Sequence, residues 1–568
     1  MFRLLYLTMV AICLLPLVPG VLGLVFSSFH YLPPIGFESP SFDAFKQVTQ
    51  WPGVEKSILL TIVTSVFSTI LATSITFLIL RASWHSSKWQ RIELWLSPLL
   101  SLPHVAFAIG FAFLFTPTGL IARLIAFILD DPSISQWSLI NDQYGIGLII
   151  ALSIKEVPFL LLMSIPVLKQ LNVQQTLITA NSLGYNTKQT WMTIILPQWL
   201  PKIRFPLYAV MAYSMSVVDV ALILGPTNPP TFAVLVWQWF NDPDLNFLPR
   251  AAAGAMILFL LCSLLLMLIR AFEFLFTKLW RKWQYNGHHS LHWPGTGLFS
   301  LIAIIPLLTL PLMLVWSFAL RWRFPDLMPS RFSLRFWQQE WEFIQSVIFI
   351  SLNIGLLSGS IALLLALIAH EYHQKHKIRV PNFIIALPML APQLSILFGI
   401  QIATILVPGE HYSLWVIWAH VLFAFPYIYL ALDGPWRSFD IRYEMTALSL
   451  GMSPLKVWWK IKRPILMPAI WLAWAVGISV SLTQYLPTLM LGAGRISTLT
   501  TEAVALASGQ DRRVSALYAL WQAALPLAFF VFALAASRLA QVDRVGLKTS
   551  SPRSTLVDES VHKKSHNL

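Results

Sequence analysis

Thr176 to Ile203 reads TLITANSLGYNTKQTWMTIILPQWLPKI, and Tyr443 to Ile470 reads YEMTALSLGMSPLKVWWKIKRPILMPAI. Aligned without a gap, the two stretches share Thr179/Thr446, Ala180/Ala447, Ser182/Ser449, Leu183/Leu450, Gly184/Gly451, Trp191/Trp458, Ile194/Ile461, Pro197/Pro464, Pro201/Pro468 and Ile203/Ile470. Self-similarity on this scale marks an internal duplication. Farther upstream, Pro103 and Gly110 match Pro392 and Gly399 at the same spacing, and Pro158 matches Pro426. Each copy follows the same number of apolar runs, so the halves repeat in parallel about an axis along the membrane normal and are not inverted.

Those apolar runs decide the class. Of 568 residues, 57% are hydrophobic and 11% charged, with a mean hydropathy of +0.68, whereas a soluble domain carries about 25% charged residues. At roughly 20 apolar residues per crossing, the chain is predicted to be an all-α polytopic membrane protein of about 12 transmembrane helices in two six-helix halves. The expected spans are about 4–26, 56–80, 94–115, 143–168, 205–225, 251–276, 297–320, 345–369, 381–407, 413–432, 467–491 and 512–536. The first half covers 1–280 with its repeated loop at 169–204, and a polar cytoplasmic linker fills 281–296. The second half covers 297–540 with its loop at 433–466, and a Ser-rich, basic tail at 541–568 reads as disordered. The apolar run from Leu4 exceeds a signal-peptide core and reads as a retained first helix.

The net charge of +14 does not indicate nucleic acid. Most Lys and Arg fall on the side that the positive-inside rule assigns to the cytoplasm, and the acids fall mostly on the other. N- and C-termini are thereby expected in the cytoplasm. Cys13 and Cys262 both lie in apolar runs, which leaves no basis for a disulfide or a Cys-based metal site.

Within each repeat, Gly permits a positive φ and a sharp turn. Ser453-Pro454 after Gly451 reads as an N-cap followed by a favoured first helical residue, and Asn186 can cap equivalently after Gly184. Each loop therefore reads as helix, Gly turn, short surface helix and a Pro-marked entry into the next span. Here the chain resembles the EAA loop of ABC importer permeases, which runs Glu-Ala-Ala, three residues, Gly, then about nine residues to Ile-x-Leu-Pro. Ala180, Gly184, Ile194, Leu196 and Pro197 match in the first copy, and Ala447, Gly451, Ile461 and Pro464 in the second. The family's acid is missing: Ile178 and Met445 stand six residues before the glycines, with Glu444 one residue early.

The resemblance covers about 50–280 and 340–540 and is similar to the fused permeases of thiamine and ferric-iron importers and to the Ynj-type permease. It implies an ABC importer type I permease of the bacterial inner membrane, whose loops couple to an ATPase through Ala180, Gly184, Trp191, Pro197, Glu444, Ala447, Gly451, Trp458 and Pro464. No Gly-x-x-x-x-Gly-Lys-Ser/Thr pattern occurs, so the chain itself is expected to be no enzyme and to hold no cofactor. ATP would be used by two copies of a partner P-loop ATPase, and a periplasmic substrate-binding protein would deliver the solute.

Ionisable groups in spans are costly and face cavities or partners. Asp219, Gln484 and Glu156 are the pathway candidates, the first two because the fifth helix of each half lines the path in this family. The adjacent Lys155-Glu156 pair could also snorkel from a helix end, and His104 and Gln393 could satisfy backbone freed by their prolines. Gly355-x-x-x-Gly359 reads as close helix packing. Trp51, Trp137, Trp237, Trp239, Trp322, Trp337 and Trp341 read as an aromatic belt in contact with membrane lipid, and His288, His289 and His292 as solvated linker with no metal. The competing class is a twelve-helix secondary transporter, but Ala82 to Glu93 lacks that class's signature loop. The acids lean the substrate toward a cation, and thiamine-, polyamine- and iron-like solutes fit equally.

Overall fold

The computed structural model describes residues 2–131, 138–286, 297–378, 380–405, 407, 409–509 and 511–549. The first half contains α1 (Phe2–Cys13), α2 (Leu17–Ser28), α3 (Val54–Ser83), α4 (Lys88–Ser101), α5 (His104–Phe115), α6 (Ile146–Gln170), α7 (Val173–Ser182), α8 (Arg204–Ser216), α9 (Asp219–Leu224) and α10 (Leu248–Asn286), joined by shorter helices. The second contains α11 (Leu298–Phe318), α12 (Arg335–His376), α13 (Gln393–Ile405), α14 (Tyr412–Ser438), α15 (Arg442–Ser449), α16 (Arg463–Leu482), α17 (Leu486–Leu491) and α18 (Arg512–Thr549). A small antiparallel pair, β1 (Ala319–Arg321) and β2 (Arg331–Phe332), links α11 to α12.

Among the described residues, ten helical stretches are long and apolar enough to cross a membrane. Two expected spans, 205–225 and 381–407, are instead broken. In the first, α8 stops where the Ser216 hydroxyl donates back to the Ala212 carbonyl at 2.8 Å, and α9 restarts where Asp219 Oδ1 accepts the Val220 N–H at 2.9 Å. Ser and Asp offer the backbone these local alternatives to a helix. In the second, Pro381, Pro388 and Pro392 interrupt the ladder, leaving α13 as its one long piece. Breaks also separate α4 from α5 at Pro103, α16 from α17 at 483–485, and α1 from α2 near Pro16. Helix α10 runs on through 286 and α18 through 549, both beyond their expected ends. The rest of the linker with His288, His289 and His292, the tail from 550, and Trp137 lie outside the described residues.

The two halves are interlaced. Helix α2 packs on α13 of the second half, and α11, the first helix of the second half, packs on α5 of the first. Glycines set both crossings. A Cβ on Gly23 would stand 2.6 Å from the Gly399 carbonyl oxygen, and one on Gly399 would collide with the Gly20 backbone. At the matched position, a Cβ on Gly110 would collide with the Thr309 side chain. Without a hydrophobic drive between helices in lipid, close approach at small residues holds such crossings. Gly355 and Gly359 do the same where α12 meets Leu482 and Ile478 of α16, as their spacing predicts.

Opposite the repeated loops, the halves are clamped by a buried arginine. Arg123 Nη1 donates to the carbonyl oxygens of Arg323 (2.7 Å) and Asp326 (2.5 Å), and its guanidinium lies over the Trp322 ring at 4.9 Å. Arg512 Nη2 reaches back to Thr118 Oγ1 at 2.9 Å. Trp237 and Trp239 are buried, which removes them from the lipid belt; the Arg250 guanidinium lies 4.1 and 5.0 Å from the Trp51 and Trp239 rings, which meet edge-on at 5.6 Å. Cys13 and Cys262 are buried and free.

Candidate functional site

Each repeated loop is built on a glycine that ends a helix, Gly184 (φ +88°) after α7 and Gly451 (φ +83°) after α15. The glycine N–H donates three residues back, to Asn181 or Leu448, at 3.0 Å in both copies. The next N–H, of Tyr185 or Met452, reaches five residues back to the carbonyl of Ala180 (3.0 Å) or Ala447 (3.2 Å). These are the two bonds of a Schellman ending, which requires a left-handed residue at the glycine; an L-residue there costs about 1–2 kcal/mol. Both acceptor alanines are buried. Ala-x-x-x-Gly is therefore a single device that ends one helix and turns the chain along the surface.

The segment beyond the glycine turn is repeated too. Asn186 and Gln189 form a reciprocal capping box, at 2.8 and 3.1 Å. Ser453 takes the corresponding cap backbone without a side-chain cap bond, and Pro454 begins the helix. Both loops then pass through one π turn that begins on the matched tryptophan, Trp191–Ile195 and Trp458–Lys462. Pro197 and Pro464 come next. A proline ring clashes with the carbonyl four residues back, and a widened turn just before it moves that carbonyl aside.

The two tryptophans differ in setting. Trp191 is buried edge-on against Phe77 at 6.0 Å, whereas Trp458 is half-buried against Trp459 at 5.1 Å. Glu444 and Lys462 differ more. Lys462, buried on the π turn, pairs with Glu444 of α15 at 3.8 Å and with Glu371 at the end of α12, and it donates to Gln374 Oε1. The corresponding residues of the first loop are Leu177 and Ile195, both buried in the apolar core. Where one loop is tied down by charge, the other is tied down by hydrophobic burial. Glu444 thus has a partner inside the chain.

Both loops expose apolar side chains at equivalent positions. Ile178 and Leu183 are 63% and 72% exposed, and their counterparts Met445 and Leu450 are 58% and 78% exposed, with Leu455 beside them at 73%. In sequence these groups flank the glycine turns, with the polar residues Asn186, Lys188, Ser449 and Lys456 nearby. Exposed apolar groups on a polar surface mark a contact for another protein or for the membrane.

The pathway candidates lie elsewhere, within the spans and their breaks. Glu156 is the eleventh residue of α6, about 15 Å from its start at 1.5 Å per residue. It is buried, as is Lys155, so neither snorkels from a helix end; Lys155 Nζ donates to the Leu99 carbonyl at 3.0 Å. Glu156 Oε1 lies 3.3 Å from His104 Nε2, and Gln393 Nε2 donates to Gln484 Oε1 at 2.6 Å. His104 and Gln393 thus engage side chains of neighbouring helices. The His104 ring lies 4.8 Å from that of Tyr213, and Tyr213 is within electrostatic reach of Glu156, Asp219 and Tyr427. Asp219 also reaches Tyr485, so the cluster spans both halves. Sequence patterns alone did not single out the tyrosines, Lys462 or the π turns. Their signals were Tyr427 directly after matched Pro426, and the equal Trp-to-Pro spacing in both loops.

No family model matches the chain. It is 32% identical over 551 residues to the inner membrane ABC transporter permease protein YnjC of Escherichia coli (strain K12), an alignment covering 95% of this chain and 97% of that protein. Shorter matches reach the putrescine transport system permease protein PotI of the same strain, 32% identical over 108 residues (18% of this chain, 38% of that protein). The molybdenum transport system permease protein ModB of Mycobacterium tuberculosis (strain ATCC 25618 / H37Rv) is 30% identical over 80 residues (14% of this chain, 30% of that protein).

Proposed function

The chain belongs to the permease subunits of ABC transporters, and on that footing we propose that its two repeated loops each dock one copy of a separate P-loop ATPase. A periplasmic binding protein delivers a small solute to the opposite face, and both chain termini lie in the cytoplasm with the loops. ATP is used by the ATPase, and this chain carries force and pathway. The coupling residues are Ala180, Gly184, Trp191 and Pro197 in one loop, and Ala447, Gly451, Trp458 and Pro464 in the other. Glu444 acts by fixing its loop to Lys462.

One observation carries this reading: the same Schellman ending, π turn and exposed apolar pair recur at equivalent positions in both halves. A short helix held rigidly at both ends moves with whatever grips it, and the Pro-marked exit passes that motion to the next span. The alternative of a twelve-helix secondary transporter gives the duplicated exposed face no partner.

The test is reconstitution. Vesicles holding the permease, its neighbouring-gene ATPase and its binding protein are expected to accumulate solute only with ATP. Gly184→Leu or Gly451→Leu should lower uptake per ATP hydrolysed several-fold, because the added side chain strains the left-handed turn by about 1–2 kcal/mol and, its Cβ meeting nothing within 4 Å in the chain itself, also obstructs a docked partner; the comparison is made on variants that fold and assemble like the parent. Uptake by the permease alone in ATP-free vesicles would contradict the proposal, as would normal coupling in both variants.

A further inference from the structure

Irregular backbone at membrane depth survives only where it is buried in protein or lines a water-filled cavity. The four breaks that interrupt α4/α5, α8/α9, the approach to α13, and α16/α17 fall at matched places in the two halves. At each, a polar side chain keeps accessible surface while its apolar neighbours are buried. His104 is half-exposed between Pro103 and Val105, Asp219 between Val218 and Val220, and Gln393 between Pro392 and Leu394, and Gln484 precedes buried Tyr485. Tyr427, the sixteenth residue of α14, is 37% exposed. Lipid would not be the neighbour of all these groups. The first four sit at the helix breaks of both halves.

Two carboxylates share one histidine at these breaks. Glu156 and Asp219 both lie around Tyr213. Glu156 has His104 at 3.3 Å, and the Lys155 ammonium is turned to the Leu99 carbonyl. Among the described residues, Asp219 makes no ion pair; it accepts from the adjacent Val220 N–H and from its own N–H, and His104, already against Glu156, is the basic group within its electrostatic reach. A carboxylate held away from bulk water without a counter-charge is costly. By contrast, the other polar group at this depth is self-sufficient: His420 bonds Ser481 Oγ (2.7 Å) and Thr488 Oγ1 (2.9 Å), and Ser481 bonds Ser358 (2.7 Å). A separate groove of about 510 Å3 against Leu314, Phe318 and Phe332 is apolar and suits no charged solute.

We infer that Glu156 and Asp219, with Tyr213, Tyr427 and Tyr485 around them, form a midway binding site for an organic ammonium cation. The carboxylates supply the charge and charge-assisted hydrogen bonds, and the tyrosine faces attract an ammonium by cation–π interaction. An oxyanion such as molybdate would meet two negative charges and is rejected. The inference rests on the importer reading above, and it separates this chain from the oxyanion side of its relatives.

The test uses the full-length chain in lipid nanodiscs, without ATPase, so that it stands apart from coupling. Binding of labelled putrescine and thiamine is measured beside molybdate and sorbitol. Saturable binding of at least one ammonium compound is expected, with none of molybdate or sorbitol. Affinity should fall at least ten-fold in both Glu156→Gln and Asp219→Asn and recover in part in Asp219→Glu, all judged on variants that elute and unfold like the parent. The inference is overturned if the parent binds neither ammonium compound, if it binds molybdate, or if either neutralising variant binds as well as the parent. Failure of a variant to fold leaves the parent's own selectivity to decide.

Discussion

Lys462 shows how one residue distinguishes two otherwise equivalent loops. Its ammonium holds Glu444 of α15 and Glu371 of α12 together, so Lys462→Met leaves two carboxylates without their cation. Removing one member of a fully buried pair costs about 3–5 kcal/mol. Side-chain exposures of 20% and 32% for the two acids reduce this to on the order of 2 kcal/mol. The double change Lys462→Ile with Glu444→Leu copies the first loop's Ile195 and Leu177, and it is expected to recover part of the loss in thermal unfolding. Equal stability of Lys462→Met and the parent would show that the charge tie contributes nothing. The glycines were legible at this scale because a left-handed turn has a residue signature. Ala180 and Ala447 were legible as matched positions, but their role as acceptors of the Tyr185 and Met452 N–H groups was not, since a backbone carbonyl leaves no mark on residue type.

At the scale of elements, sequence periodicity and prolines located the spans but not their interruptions. Pro103 and Pro392 announce their breaks. The breaks at 217–218 and 483–485 arise where the Ser216, Asp219 and Thr483 side chains compete for backbone bonds, and no apolar count records that competition. The π turns were hidden for a similar reason, because one extra residue in a helical turn changes hydrogen-bond register without changing composition. Crossing geometry comes from glycine instead. Gly399→Val should push α2 off α13 at a cost of about 1–3 kcal/mol, the usual penalty of overpacking, read as a lower unfolding temperature and faster proteolysis of the first helix. Unchanged protection of that helix would contradict the packing described.

For the whole molecule, the duplication was plain in the sequence, and the exchange of first helices between halves was not. Matched Gly110 and Gly399 fixed which positions allow close approach, but a repeat cannot say whether each glycine receives a helix from its own half or from the other. Interlacing packs a helix of each half against the other, and under the proposed function the two loops receive force from separate partners. That division of labour is the core of the account, and it is testable by counting partners. Cysteine is placed at Leu183 or at Leu450, the equivalent exposed positions of the two loops, in a chain whose Cys13 and Cys262 have been replaced by serine. The assembled complex is then cross-linked to its ATPase and weighed intact. The account predicts one ATPase captured at either position alone and two per permease when both cysteines are present. Capture at neither position, or one ATPase with both cysteines in place, would contradict it.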